Sequence, residues 1–274
     1  MFESSDKQPN NVEIGQNNKD QQSTGESNYV VHQEAGPRRH LKDGIKPIFA
    51  CVGTEGDFQN EFSEEAHYFD INYLGDKVDN VDYFKDPESL KRRGMKNAGE
   101  YTYVISEVND RDKFSAEFRN CTMLVVTGID KKSGENISLM SHQDPTEFLS
   151  FNKDNFVQHL LQRLQELKEK SVEGTIDAVI AGGNLRPDYL PQDALTRDYT
   201  GSIALLTEHV KELFGFEPLV IVGPKTVKGG DSVFYDSHNR RLFIVRPEAM
   251  RGKSSNFSYN PNNLDQELDN WKGK

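Results

Sequence analysis

The chain has 274 residues, 35% of them hydrophobic and 28% charged, enough apolar material for one core with a large polar surplus. Its formal net charge of -11, from 33 Lys and Arg against 44 Asp and Glu, opposes a nucleic-acid backbone or an anionic membrane as partner. Two cysteines, Cys51 and Cys121, are too few for a secreted disulfide framework and lack the CxxC spacing of a zinc site, so neither metal nor cofactor is expected, while one disulfide between them stays open.

Residues 1–40 are rich in Asn, Gln, Ser, Asp and Glu, with almost nothing to bury, and predict a disordered polar tail. The N-terminus lacks an apolar leader core and no stretch is long enough to span a bilayer. The expected location is therefore the cytoplasm, or outside by a route without a cleavable signal. Residues 41–97 read as an extension or cap with no clear period, in which Ile45–Val52 forms a strand placed at an edge by Pro47. The main domain is expected over 98–250. A polar tail follows over 251–274, where Phe257, Tyr259 and Trp271 can dock as a short strap.

Within the main domain Tyr101–Val108 predicts a strand, and Cys121–Ile129 with Gly134–Met140 a hairpin around the turn Asp130–Ser133. Asp154–Lys170 predicts an amphipathic helix burying Phe156, Val157, Leu160, Leu161, Leu164 and Leu167, capped by Asn152 or Asp154. Ile176–Ile180 is a continuous apolar strand ending near Gly182-Gly183, and a polar loop runs on to about Thr200. A second helix is expected from roughly Gly201 to Phe214, with Ile203, Leu206, Val210 and Leu213 inward and Gly215 as its stop. Leu219–Val222, Ser232–Tyr235 and Arg241–Val245 predict three further strands, the last two joined by the Asp236–Arg240 turn. The fold class is α/β of the α+β kind: β-sandwich-like mixed sheets flanked by two helices.

The four-residue turn sets a register in which Cys121 falls opposite His142. A thiol beside an imidazole is a nucleophile in waiting, because the base removes the proton that keeps free cysteine mostly neutral. Composition alone favours a buried, inert cysteine; the facing histidine is what makes the pair a candidate catalytic site. Other signals are weaker. Gly182-Gly183 lacks phosphate-loop spacing and reads as a turn. His159 and His209 sit inside the predicted helices without metal partners, and His67 with Glu64-Glu65 is too loose a cluster to hold an ion.

The order of strand, Cys-bearing hairpin, His, helix, strand ending in Gly-Gly, helix, strand and terminal hairpin resembles the CheD chemotaxis-receptor glutamine deamidases. The same Cys–His deamidase fold is found in cytotoxic necrotizing factor toxins. The resemblance covers about Gly99–Val245 and rests on Asn120-Cys121-Thr122, Leu139-Met140-Ser141-His142, Gly182-Gly183 and the stretch Gly229–Asp236 followed by Arg241–Val245. It implies a CheD-like amidohydrolase: Cys121 attacks a glutamine side chain of a protein substrate to give a thioester, and His142 serves as acid and base. Ser115 stands six residues before Cys121, where the family has a threonine that orients its histidine. The chain departs from the family in its lead-in Glu117-Phe118-Arg119-Asn120, in Gln143-Asp144-Pro145 after the histidine, and in Asp231, where the family has a basic residue. The alternative is a catalytically inactive CheD-like module that only binds a partner.

Overall fold

The computed structural model describes residues 30–31, 40–54, 58, 78–81, 103–183, 194–222, 230–246 and 257–258. In chain order the strands are β1 (Val30–Val31), β2 (Phe49–Thr54), β3 (Val78–Asn80), β4 (Tyr103–Ile105), β5 (Asp112–Phe118), β6 (Thr122–Ile129), β7 (Asn136–Gln143), β8 (Asp177–Gly182), β9 (Leu219–Val222), β10 (Asp231–Asp236), β11 (Arg241–Arg246) and β12 (Phe257–Ser258). Two helices join them, α1 (Lys153–Lys170) and α2 (Ala194–Phe214). The strands form two mixed sheets, β1-β2-β11-β10-β5-β3 and β12-β9-β8-β6-β7-β4. Most neighbours are antiparallel. The pairs β2/β11, β3/β5 and β8/β9 run parallel. The result is an α+β fold.

Alternation along the strands produces the layers. On β6 nearly every residue is buried, because each face of the second sheet is covered. One face, with Leu124, Val126, Leu139 and Ile180, packs under Phe156, Leu160, Leu164 and Leu167 of α1 and Ile203, Leu206 and Val210 of α2. Its other face, with Met123, Val125, Met140 and Val179, meets Val52, Val233, Leu242 and Ile244 of the first sheet. A third cluster, Cys51, Phe58, Phe114, Phe234 and Phe243, lies on the far side of that first sheet.

The helices keep their predicted faces with small changes. Phe156, Leu160, Leu164 and Leu167 are buried, whereas Leu161 is 36% exposed, at the edge of the apolar stripe. Asp144 caps a helical turn at Pro145–Glu147, accepting from the backbone N–H groups of Thr146 and Glu147, and a π turn at Phe148–Asn152 leads into α1. Asn152 makes no capping bond of its own. Helix α2 begins at Ala194 instead of near Gly201, so the end of the expected polar loop is helical. Its first turns bury Thr196, Tyr199 and Thr200, a polar inner face that carries no hydrophobic period. Gly215, at φ +80°, stops the helix as expected.

The segment read as an extension contributes β2 and β3 to the first sheet, and β2 lies between β1 and β11, with Pro47 just before it. Strand β5 was not predicted at all. Phe257–Ser258 pair antiparallel with Ile221–Val222, giving part of the C-terminal strap a place at the second sheet's edge. In the N-terminal stretch expected to be a disordered tail, Val30–Val31 pair with Cys51–Val52 and His40 is placed, while the rest of both tails lies outside the described residues, as do His67, Glu64 and Glu65. Among the described residues no helix is long and apolar enough to cross a membrane.

Candidate functional site

The hairpin register differs from expectation by two residues. Thr122 pairs with Gln143 and Ile129 with Asn136, so Met123, not Cys121, stands opposite His142. The turn is the reason: Gly134, at φ +75°, belongs to it and not to the strand. Its N–H donates to the Asp130 carbonyl at 2.9 Å, and the Asp130 N–H donates to the Glu135 carbonyl at 2.8 Å, making a six-residue connection. A two-residue shift conserves the face, since side chains alternate with period two. Cys121, just before β6, joins Met123, Met140 and Phe118 in the layer between the sheets.

His142 is wholly buried and is reached from the other sheet. Ser115 on β5 lies with its Oγ 2.6 Å from His142 Nδ1, and the Phe118 ring stacks on the imidazole at 3.9 Å between centroids. Residues three apart on a regular strand point to opposite faces. A bulge brings these two together: Ser115 pairs with Val233, but Phe118 pairs with Asp231, so β5 carries one more residue than β10 across that interval.

Ser115 Oγ also donates to the Val81 carbonyl at 3.2 Å. With its own proton so engaged, the hydroxyl accepts from Nδ1–H, which leaves Nε2 as the basic nitrogen. Burial lowers the pKa of His142 from 6.5 to about 3, against a smaller upward pull from the Val81 carbonyl. The ring is neutral at ordinary pH. It is a proton acceptor in its resting state, and a resting thiolate–imidazolium pair is disfavoured here.

Cys121 is only 2% exposed, and its carbonyl accepts from the Gly183 N–H at 2.8 Å. The two glycines behind it are required by contact. A Cβ on Gly183 would sit 2.2 Å from the Arg119 carbonyl oxygen, and one on Gly182 would sit 1.8 Å from the Tyr199 hydroxyl oxygen. Tyr199 in turn donates to the Gly183 carbonyl at 3.1 Å. The turn Arg119–Asn120 is thus pressed backbone to backbone against the end of β8, which fixes where Cys121 enters the interior.

The same end of the sandwich holds a buried charge pair. Asp231 neighbours Phe118 on β10, and Arg246 Nε is 3.5 Å from Asp231 Oδ2, with both side chains 1% exposed. Burial raises Asp231 from 3.8 to about 7, although Arg246 pulls it down. Asp231 was visible in the sequence as a departure from the family; Arg246 carried no signal.

Among the remaining sequence candidates, Cys51 and Cys121 lie in different layers and are not bonded to each other, which removes the open disulfide. His159 packs edge-on to Tyr103, and His209 Nδ1 is 3.5 Å from Glu212, each on the helix side of the second sheet. No protein-family model matches the chain, and no curated protein matches it.

Proposed function

We propose that the protein is a cysteine-dependent amidohydrolase and, more narrowly, a CheD-like deamidase of glutamine side chains on a protein substrate. The observation that carries this reading is the 2.6 Å contact of Ser115 with His142 Nδ1, which makes Nε2 the basic nitrogen of a ring facing the layer occupied by Cys121. His142 accepts the Cys121 proton as the sulfur bonds to the carboxamide carbon and its π electrons move to oxygen. Backbone N–H groups around Asn120–Cys121 hold the oxyanion, an effect of roughly 3 kcal/mol per donor in such chemistry. On collapse the C–N bond breaks, the imidazolium gives its proton to the departing ammonia, and a thioester remains. Water then adds with His142 as base, the C–S bond breaks, and glutamate and free thiol are released. Ser115 is a positioning residue that keeps the useful tautomer. No metal or organic cofactor takes part.

The 2% exposure of Cys121 favours a second reading, an inactive module that binds a partner through the same fold. Ammonia release from a glutamine-rich protein such as casein separates the two. A deamidase loses activity by roughly 10³-fold or more on Cys121→Ala. Wild-type protein that releases no ammonia, with Cys121 inert to iodoacetamide at pH 8, establishes the module.

A further inference from the structure

Arg246 and Asp231 form a pair whose hydrogen-bonding capacity is unused. Residues 231, 233 and 235 of β10 and 242, 244 and 246 of β11 share one face by alternation, and Val233, Tyr235, Leu242 and Ile244 place that face between the sheets. Both charged side chains therefore point into the layer that holds Cys121 and His142. Continuation of the Ser232–Val245 register sets Asp231 directly across from Arg246. On its other side Asp231 pairs with Phe118, whose ring lies on His142.

At 3.5 Å the Arg246–Asp231 contact is an ion pair too long for a good hydrogen bond. Arg246 Nε, Nη1 and Nη2 and both Asp231 oxygens are buried without a hydrogen-bond partner. Such groups are costly, because a buried ion pair offsets its desolvation only when further hydrogen bonds complete it. Above about pH 7, where Asp231 is ionised, the pair is neutral as a whole, so a carboxylate or a phosphate gains at the guanidinium and loses at Asp231. A planar neutral head that accepts on one side and donates on the other satisfies both groups at once. A primary carboxamide has that pattern.

We propose that Arg246 and Asp231 are a carboxamide subsite: Arg246 donates to the amide oxygen and Asp231 accepts an amide N–H of the glutamine side chain. The identity of the occupant as substrate rests on the deamidase reading. The subsite also separates substrate from product, because hydrolysis replaces the N–H donors facing Asp231 by a carboxylate that repels it. Cys121 and His142 are closed off as completely as the pair, so thiol and subsite alike must open to admit a side chain.

The test uses the full chain carrying Cys121→Ala, which cannot turn over, titrated with N-acetylglutamine N-methylamide and its glutamate counterpart while the arginine Nε–H resonances are followed by NMR. The expected result is glutamine-probe binding at least about tenfold tighter than the glutamate probe, with the Arg246 resonance shifting. Adding Asp231→Asn supplies a donor for the carboxylate, and the preference falls to about one or reverses. Adding Arg246→Lys weakens the glutamine probe by about tenfold, a second readout should the asparagine variant not fold. Equal binding of the two probes, no binding of the glutamine probe, or an unchanged preference in a folded Asp231→Asn protein overturns the subsite. Preference without ammonia release from the wild type keeps the subsite and removes the deamidase; ammonia release without preference does the reverse.

Discussion

Arg240, the residue before strand β11, and Arg246, the last residue in it, are 3% and 2% exposed and stand in opposite circumstances. Arg240 spends its guanidinium on the fold. Its Nε donates to Asn136 Oδ1 at 2.8 Å, Nη1 to the Lys46 carbonyl at 2.9 Å and Nη2 to the Thr175 carbonyl at 3.1 Å. Those three bonds tie the start of β7 and the approaches to β2 and β8 to one side chain. Arg246 makes none and meets Asp231 at 3.5 Å as an ion pair. One short stretch of chain thus carries a structural arginine and an unsatisfied one. Complete hydrogen bonding marks the end that holds the sandwich together, and its absence marks the end that contains Cys121 and His142.

Removing Arg240 should cost the fold most. Arg240→Ala leaves buried carbonyls and Asn136 without their donor, and the expected loss is about 3–5 kcal/mol in urea unfolding. A loss below about 1 kcal/mol would put Arg240 in the same class as Arg246. The opposite end should respond with the opposite sign. Replacing both charges, Asp231→Leu with Arg246→Met, removes an incomplete ion pair, and the expected change is a gain of about 1–4 kcal/mol together with loss of carboxamide binding. Destabilisation by the double variant would show that the pair supports the fold.

The smallest effect is in the pH dependence. The pKa of His142 is depressed from 6.5 to about 3, so the unfolded chain binds the proton first and stability falls as pH drops below 6.5. Asp231 is raised from 3.8 to about 7, so the native state holds its proton longer and stability falls as pH rises across that window. Between 3.8 and 6.5 the two contributions oppose each other. Asp231→Asn should uncover the histidine slope, up to about 1.4 kcal/mol per pH unit, in unfolding midpoints measured across that range. A variant profile no steeper than the wild type's would mean that His142 is not held neutral by burial.

What the sequence made legible follows from how each element buries itself. Phe156, Leu160, Leu164 and Leu167 keep a 3.6-residue period, so α1 is readable. The start of α2 is hidden because Thr196, Tyr199 and Thr200 fill its inner face. Strand β5 is hidden for the same reason: Lys113 and Ser115 are buried, and Lys113 pairs with Asp79. The hairpin itself was readable but its register was not, since Gly134 looks like the first residue of a strand until its positive φ is known. Cys121 and His142 still share a face, because a two-residue shift keeps parity. Ser115 was reached through the family resemblance and not through any local pattern. Arg246 is an ordinary strand-end charge in the sequence, and only the fold shows that it is enclosed.

The extra residue in β5 gives that strand two phases. Before it, odd positions look into the sandwich, as Ser115 does; after it an even position, Phe118, looks the same way. Ring and hydroxyl close on the imidazole like jaws that meet only because one is a half-step out of time. The clasp accordingly depends on how many residues lie between the jaws and how the strand carries them. Losing one residue at position 116 or 117 irons out the bulge and leaves hydroxyl and ring two apart on one face of a regular strand, so both still meet His142, whereas straightening the strand at its present length would turn the ring away.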